Sequence, residues 1–494
     1  MKVVVFDDDP TGSQTVHSCP LLLATDAPSL RRGLAHPSPL LFVLANTRAL
    51  APDQARERVA SICDNLAAAM AQITAQDPDL AARLQPLVLV SRGDSTLRGH
   101  FPLELQVIEQ QLAAPLGWGA SGVDGRFLVP AFLPGGRTTV GGEHRLNGEP
   151  VHTSDFARDR LFGYDTSDLA EYIAAKTAAL GRDGQKESVN PLSPFHPISP
   201  ASVQRLCLAE LEGDPQALVA RLAGLAPGAW VVVDAERPQH LSALGAAVLE
   251  LMAPAAAERW GRPRRFLFQS AASLLNGLVA LPPPPHDAAG LAALRRRDAA
   301  GCPLPALVLV GSHVPLADAQ LAALLAEPAC QGVQVDVRRL ARVLEGPAAP
   351  ELLASLQQAW LEQLRAVLAS GRTPVLHTSR GEVPCRSAAE RRRLGLALAG
   401  VMAHLVAELA PAVGCVISKG GITSHTLLAE GLGCSAVELQ GQLLPGLSLV
   451  LTGPEARVPA LPVLTFPGNL GDADTLRQAW QLLGGSPGPG RPGC

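Results

Sequence analysis

Val3-Val4-Val5-Phe6-Asp7-Asp8-Asp9-Pro10-Thr11-Gly12 opens the chain with four apolar residues, three carboxylates and a turn built on proline and glycine. A run so short, rich in β-branched residues and closed by turn formers, reads as a strand buried on both faces. Runs of the same kind recur at 40–44, 87–90, 127–130, 230–234 and 266–269. They alternate with alanine- and leucine-rich stretches of helical period such as 53–76. Leu281-Pro282-Pro283-Pro284-Pro285 interrupts the rhythm, and a second alternation sets strands at 306–310, 374–377, 414–418 and 448–451. The pattern predicts the α/β class: two α/β domains, each with a mainly parallel sheet flanked by helices. The expected division is a first domain over 1–281, a stiff proline-rich linker over 282–303, a second domain over 304–483 and a flexible tail over 484–494. The polar stretch 181–200 is expected to be mobile as well. No internal repeat is visible.

A length of 494 residues suits two cores. The hydrophobic share of 47% with 17% charged residues describes a soluble globular chain, and a net charge of −4 supplies no field for a nucleic-acid partner. Nine cysteines lie scattered without a C-x-x-C pair. They predict buried thiols in a reducing compartment, with neither a zinc site nor a disulfide framework. The opening strand is too short for a signal peptide, and no apolar run reaches spanning length. The expectation is therefore a cytoplasmic protein with no membrane partner. Self-association as a homo-oligomer is left open. Lysine occurs only at Lys2, Lys176, Lys186 and Lys419, so chemistry that depends on lysine is easy to locate.

Ligands of parallel sheets bind beyond the carboxyl ends of the strands. Asp7, Asp8 and Asp9 stand at such an end, where a carboxylate can take a proton from an alcohol or hold Mg2+. Asn46-Thr47-Arg48 follows the next strand, and Ser91-Arg92-Gly93-Asp94-Ser95-Thr96-Leu97-Arg98-Gly99 the one after it. Arg48, Arg92 and Arg98 offer forked donors matched to a carboxylate, and Asp94 and Ser95 can bond alcohols. One arginine alone is more often a surface ion pair. Three loops of like composition point instead to one shared rim. The stretch from Pro130 adds a glycine-rich turn with Arg137 and His144. Gly117-Trp118-Gly119-Ala120-Ser121-Gly122 fits G-x-G-x-x-G literally, yet it precedes a strand and so is no dinucleotide fingerprint.

In the second half, an apolar strand runs into Lys419-Gly420-Gly421-Ile422-Thr423-Ser424 and then a helix. Backbone N–H groups and a helix dipole make this the best anion site in the chain, with Lys419 in the loop. Gly311-Ser312-His313, Thr378-Ser379-Arg380 and Pro467-Gly468-Asn469 each follow strand-like sequence and can join it. No Walker A motif and no protein-kinase signature set is present.

Taken together, Asp8-Asp9-Pro10-Thr11-Gly12, Asn46-Thr47-Arg48, Asp94 to Gly99, Pro130 to His144, Gly311-Ser312, Thr378-Ser379-Arg380, Gly420 to Thr423 and Pro467-Gly468-Asn469 resemble the four-carbon acid sugar kinase family over nearly the whole chain. The resemblance implies an N-terminal domain for the sugar acid, a C-terminal domain for ATP, and transfer to the terminal hydroxyl of threonate, erythronate or 3-oxo-tetronate. It implies substrate contacts at Asp9, Arg48, Arg92, Asp94 and Ser95, and nucleotide contacts at Ser312, Gly420, Gly421, Ile422, Thr423 and Gly468. The chain departs from the common pattern at Arg92 (lysine in many members), at Val314 (a serine) and at Phe466-Pro467 (a lysine-serine pair).

The full expected set adds Asp8, Arg98, Arg137 and His144 to the acid site, and Gly311 and Lys419 to the nucleotide site. Asp9 or Asp94 is the expected base, Mg2+ the expected companion of ATP, and its protein ligands are not specified. Two other classes fit parts of the sequence. Asp7-x-Asp9-x-Thr11 matches the signature of dehalogenase-type phosphatases with Asp7 as nucleophile, and Gly420-Gly421 alone would serve a non-catalytic nucleotide-binding protein.

Overall fold

Strands that are apolar on both faces must be covered on both faces, which drives parallel pairing with helices packed above and below. The computed structural model describes residues 1–9, 12, 15–119, 122–183, 197–345, 349–381, 383–385 and 387–484. Pro10, Thr11, Ala120, Ser121 and Lys186, most of 181–200 and nearly all of the 484–494 tail fall outside those residues.

The first unit, Met1–Pro282, begins with β1 (Lys2–Asp7), β2 (Cys19–Leu22), β3 (Leu40–Leu44), β4 (Leu87–Arg92) and β5 (Gly125–Val129). A small antiparallel sheet follows, of β6 (Arg137–Val140), β7 (Glu143–Leu146) and β8 (Glu149–Pro150). The glycine-rich stretch expected as a turn is thus a hairpin, held where the Asp234 carboxylate accepts the N–H groups of Gly141 and Gly142 at 2.8 Å each. β9 (Gln204–Leu206), β10 (Ala229–Val233) and β11 (Phe266–Ser270) complete the main sheet. Its order is β2-β3-β1-β4-β11-β5-β10-β9, parallel throughout. The chain leaves β1 toward β2 and β3 on one side and returns to β4 on the other. The loops after β1 and β4 therefore splay apart at a topological switch point, where a crevice opens.

The second unit, Pro283–Cys494, contains β12 (Ala306–Val310), β13 (Cys330–Val335), β14 (Thr373–Thr378), β15 (Cys415–Lys419), β16 (Ala436–Leu444), β17 (Leu447–Thr452) and β18 (Pro462–Phe466). The order is β13-β14-β12-β15-β18-β17-β16, parallel as far as β18 and antiparallel beyond. Its switch point lies between β12 and β15. Three findings depart from expectation. Ala288–Ala293, inside the stretch expected as a linker, is a helix whose Leu291 is fully buried with Leu443, Leu447 and Trp480. Cys302 is disulfide-bonded, whereas Cys19, Cys63, Cys207, Cys330, Cys385, Cys415 and Cys434 are free. Glu390–Ala412 is long and apolar enough to cross a membrane by length and composition, and 56% of its most apolar window is buried inside the fold, as in a core helix.

The helix after β11, Ser273–Leu278, crosses the helix Pro238–Met252 at two glycines. A Cβ on Gly245 would fall 2.0 Å from the Gly277 carbonyl oxygen, and one on Gly277 would fall 2.3 Å from that of Leu241. Backbone cannot yield as a flexible side chain does, so Gly245→Ala is an overpacking change of about 1–3 kcal/mol. It is expected to lower the melting temperature of the first unit by several degrees in calorimetry.

Candidate active site

The rim of the first unit is built around Asp8. The carboxylate follows β1 and is 2% exposed. Arg48 clamps it with two hydrogen bonds, Nη2 to Oδ1 at 2.5 Å and Nε to Oδ2 at 2.9 Å, while its Nη1 stands 3.4 Å from Asp9 Oδ2. Arg92, at the end of β4, places Nη1 3.7 Å from both Asp7 Oδ1 and Asp8 Oδ1. A bidentate pair at this depth is worth little over an apolar pair, but removing one partner leaves a buried charge that costs about 3–5 kcal/mol.

The next loop carries Asp94. Arg98 Nε donates to its Oδ2 at 2.7 Å, and the Thr96 hydroxyl donates to the same oxygen. Burial pushes the Asp94 carboxyl up, but the guanidinium groups of Arg48 and Arg98 and these hydrogen bonds outweigh it and hold the group at about 2. Arg98 also lies over the Phe156 ring, 4.8 Å from its centroid. Arg137 donates to the Gly135 carbonyl and faces the fields of Asp94 and Arg98, its own basicity lowered by burial.

His144 is not at this rim in the way expected. It is fully buried, with Nε2 2.8 Å from the Ser95 carbonyl oxygen and Nδ1 3.0 Å from Thr139 Oγ1. Burial pulls its basicity down to about 4. The neutral ring donates to Ser95 and accepts from Thr139, so it supports the loop from beneath and has no nitrogen left for a ligand. Tyr164 and Tyr172 hold the same loop, donating to the carbonyls of Thr96 and Leu97 at 2.8 and 2.9 Å.

Glu104 was not singled out in the sequence. It opens the helix Leu103–Leu112 and is 4% exposed. One of its oxygens accepts from Thr47 Oγ1 and the other from Ser91 Oγ at 2.8 Å. Each donor immediately precedes an arginine of the rim, Arg48 or Arg92, so Glu104 ties the two guanidinium-bearing loops to one helix. Burial first, and then the charge of Asp8, push its carboxyl up to about 7. The available signal was its helical spacing with Val107 and Ile108, which puts a carboxylate on the apolar stripe.

Asp7 is fully buried, and burial pushes its carboxyl up to about 8, against the pull of Arg92. A Cβ on Gly12 would lie 1.9 Å from Asp7 Oδ1, so Gly12 packs directly on the buried carboxyl. The phosphatase alternative needs an exposed, ionised nucleophile here, and the structure offers a sealed, neutral one. Thr11 of that signature lies outside the described residues.

In the second unit the glycine loops converge at the β12/β15 switch point. Gly420, at φ 121°, precedes the short helix Gly421–Thr426. A Cβ on Gly311 would meet Thr423 Oγ1 at 2.0 Å, one on Gly420 would meet Ser312 N at 3.4 Å, and one on Gly468 would meet Ser312 Oγ at 2.7 Å. Glycine at all three leaves the backbone bare for a phosphate to approach. Arg380 fixes the Ser312 loop through a 2.7 Å bond to the Ser312 carbonyl oxygen. Ile422 is 45% exposed, with its side chain turned out of the packed loops.

Lys419 departs from expectation. It shares the parity of Cys415 and Ile417 along β15 and is fully buried. Its Nζ donates to the Pro467 carbonyl oxygen at 3.0 Å and sits 3.9 Å from the centroid of the Phe466 ring. Burial lowers its basicity to about 7. Lys419 braces the turn before Gly468 and leaves the cradle to backbone groups. A cavity of about 950 Å3 between Arg338, Arg342, Cys385 and Arg393 shares no residue with these loops.

The first unit thus carries a rim of guanidinium and carboxylate groups, and the second a set of glycine loops gathered around Ser312 and Thr423. Residues 3–278 match the family model of a sugar-binding N-terminal domain, and residues 307–476 that of a nucleotide-binding C-terminal domain. A D-threonate kinase of Cupriavidus necator is 30% identical over 81% of this chain and 81% of its own. A second D-threonate kinase, of Salmonella typhimurium, is 26% identical over 97% of each chain. Among solved structures, a Haemophilus influenzae protein aligns at TM-score 0.57 and 14% identity, covering 97% of this chain and 100% of its own. One from Salmonella typhimurium LT2 aligns at 0.59 and 17%, covering 97% and 98%. At those identities the likeness is one of fold. The chain belongs to the four-carbon acid sugar kinase family, and it is an ATP-dependent kinase of four-carbon sugar acids.

A pH test follows from Asp7. Its folded value of about 8 lies above the ordinary 3.8, so the folded state binds the extra proton. The stability this confers is complete below about pH 4 and is lost as pH rises through 8. Asp7→Asn mimics the neutral acid, and its melting temperature is expected to fall less than that of the wild type between pH 5 and 8 in thermal scans.

Proposed function

We propose that the acid phosphorylated is D-threonate or a close stereochemical relative, at its terminal hydroxyl, with Asp9 as the base. The observation that carries the reading is the cluster of Arg48, Arg92 and Arg98 around carboxylates at the β1/β4 switch point, together with the two relatives named as D-threonate kinases. A four-carbon acid needs one fixed counter-charge for its carboxylate and one accessible carboxylate for the alcohol it presents. Asp94 suits the second task poorly, because Arg98 and Thr96 occupy its Oδ2 and hold it at about 2. It orients Arg98 and accepts from a substrate alcohol. Asp9 has a side chain 21% exposed and lies at the open edge of the rim, beside Arg48.

In-line transfer needs positioning and charge neutralisation more than covalent chemistry. Arg48, Arg92 and Arg98 orient the acid, Ser95 contributes a hydroxyl, and Asp9 takes the proton as the alcohol oxygen attacks. Ser312, Thr423 and the backbone of 420–423 and 468 hold the phosphates of ATP. Mg2+ bound together with ATP would supply further neutralisation of the phosphate charge. The described residues contain no cluster of three or more His, Cys, Asp or Glu placed to hold a metal ion. A cytoplasmic setting fits the seven free thiols, with Cys302 as the exception.

ADP release from Mg-ATP, screened against D-threonate, L-threonate and D-erythronate, tests the substrate. Turnover is expected with D-threonate, and silence with all three would overturn the reading. Asp9→Asn is expected to lower kcat by about 100-fold or more at unchanged KM for ATP. A larger kcat loss in Asp94→Asn than in Asp9→Asn would transfer the role of base to Asp94.

A further inference from the structure

We propose that Gln269 and Ser270, at the carboxyl end of β11, bind secondary hydroxyls of the sugar acid and so set which acid is accepted. The inference rests on the reading of the first unit as the sugar-acid site. β11 lies beside β4, with Gln269 opposite Ser91 and Ser270 opposite Arg92, so its end abuts the Gly93-Asp94 turn. The Gly93 N–H donates to the Ser270 carbonyl oxygen at 2.8 Å. A Cβ on Gly93 would fall 2.5 Å from Gln269 Nε2, so only glycine lets the amide lie over the turn. Gln269 and Ser270 border a small pocket of about 20 Å3, room for a single hydroxyl or water, together with Asp8, Asp94 and Arg98.

Ser270 is 3% exposed, and both Ser270 Oγ and Gln269 Oε1 are buried atoms with no hydrogen-bond partner among the described residues. A buried polar atom left without a partner costs about 1–3 kcal/mol. Both residues border a pocket walled by a carboxylate and a guanidinium, and a ligand hydroxyl would satisfy either atom. Their chemistry defines it. An amide oxygen accepts but repels a carboxylate, and a serine hydroxyl both donates and accepts, so the pair fits neutral alcohols. The charged end of the acid goes to the arginines. An acid lacking the matching hydroxyl would leave these atoms unsatisfied, the situation in which hydrogen-bonding sites discriminate most strongly.

Calorimetric binding and steady-state turnover of D-threonate, 3,4-dihydroxybutanoate and 2,4-dihydroxybutanoate test the proposal in the wild type, Ser270→Ala and Gln269→Leu. Each substitution is expected to weaken D-threonate binding and raise its KM by about 10-fold, one hydrogen bond's worth, with the KM for ATP unchanged. At least one dihydroxy acid, already lacking the hydroxyl in question, is expected to be insensitive to one of the substitutions. Wild-type affinity for D-threonate in both variants would overturn the proposal, as would an equal loss for all three acids, which would mean damage to the Gly93 turn. Binding without turnover in the wild type would instead overturn the kinase substrate reading alone. No binding of any acid by the wild type would overturn both.

Discussion

The Asp8–Arg48 pair is the constraint on which the first unit is organised. A carboxylate 2% exposed cannot stand at the end of an apolar parallel strand unless a counter-charge reaches it. Arg48 supplies that charge in fork geometry, and Arg92 stands near from the other side of the switch point. Their loops are in turn fastened by Glu104, through Thr47 and Ser91. The arrangement holds the guanidinium groups at fixed positions, and in the proposed reading that preorganisation would let binding energy go into orienting the acid. The burial that raises Asp7 and Glu104 and the ion pairs that depress Asp94 divide one acidic cluster into a sealed neutral group, a buried anchor and a fixed anion.

The second unit solves a different problem with less charge. Its cradle is made by leaving side chains out at Gly311, Gly420 and Gly468, so that three loops approach within contact of Ser312 and Thr423. Lys419 and Arg380 brace those loops, the first through the Pro467 carbonyl and the second through that of Ser312. In the proposed reading, phosphate would be met by backbone N–H groups, which carry no desolvation cost comparable to that of a buried ammonium.

Much of this was legible because its signals are local. Strand β1 and the loops after β3, β4, β12, β14 and β15 announce themselves as apolar runs ended by Asp, Arg, Ser or Gly, and a parallel sheet gathers such ends on one edge. Other features were not legible because they depend on partners distant in sequence. Glu104 reads as an ordinary first-turn helix carboxylate until Thr47 and Ser91 are placed against it. His144 and Lys419 carry the right chemistry, yet both are buried, His144 by its place in the hairpin and Lys419 because β15 is covered on both faces. Ala288–Ala293 looked like part of a linker because its composition is plain, and only the core around Trp480 shows that Leu291 belongs there.

The sequence by itself determined the α/β class, the order of the functional loops and the family, since periodicity and short motifs survive without coordinates. Tertiary structure decided which groups in those loops are available. Burial cannot be read from a residue's own neighbours in the chain. It depends on what packs across the sheet, and that is what neutralises Asp7, withdraws His144 and Lys419, and brings Gln269 and Ser270 beside Asp8 and Asp94.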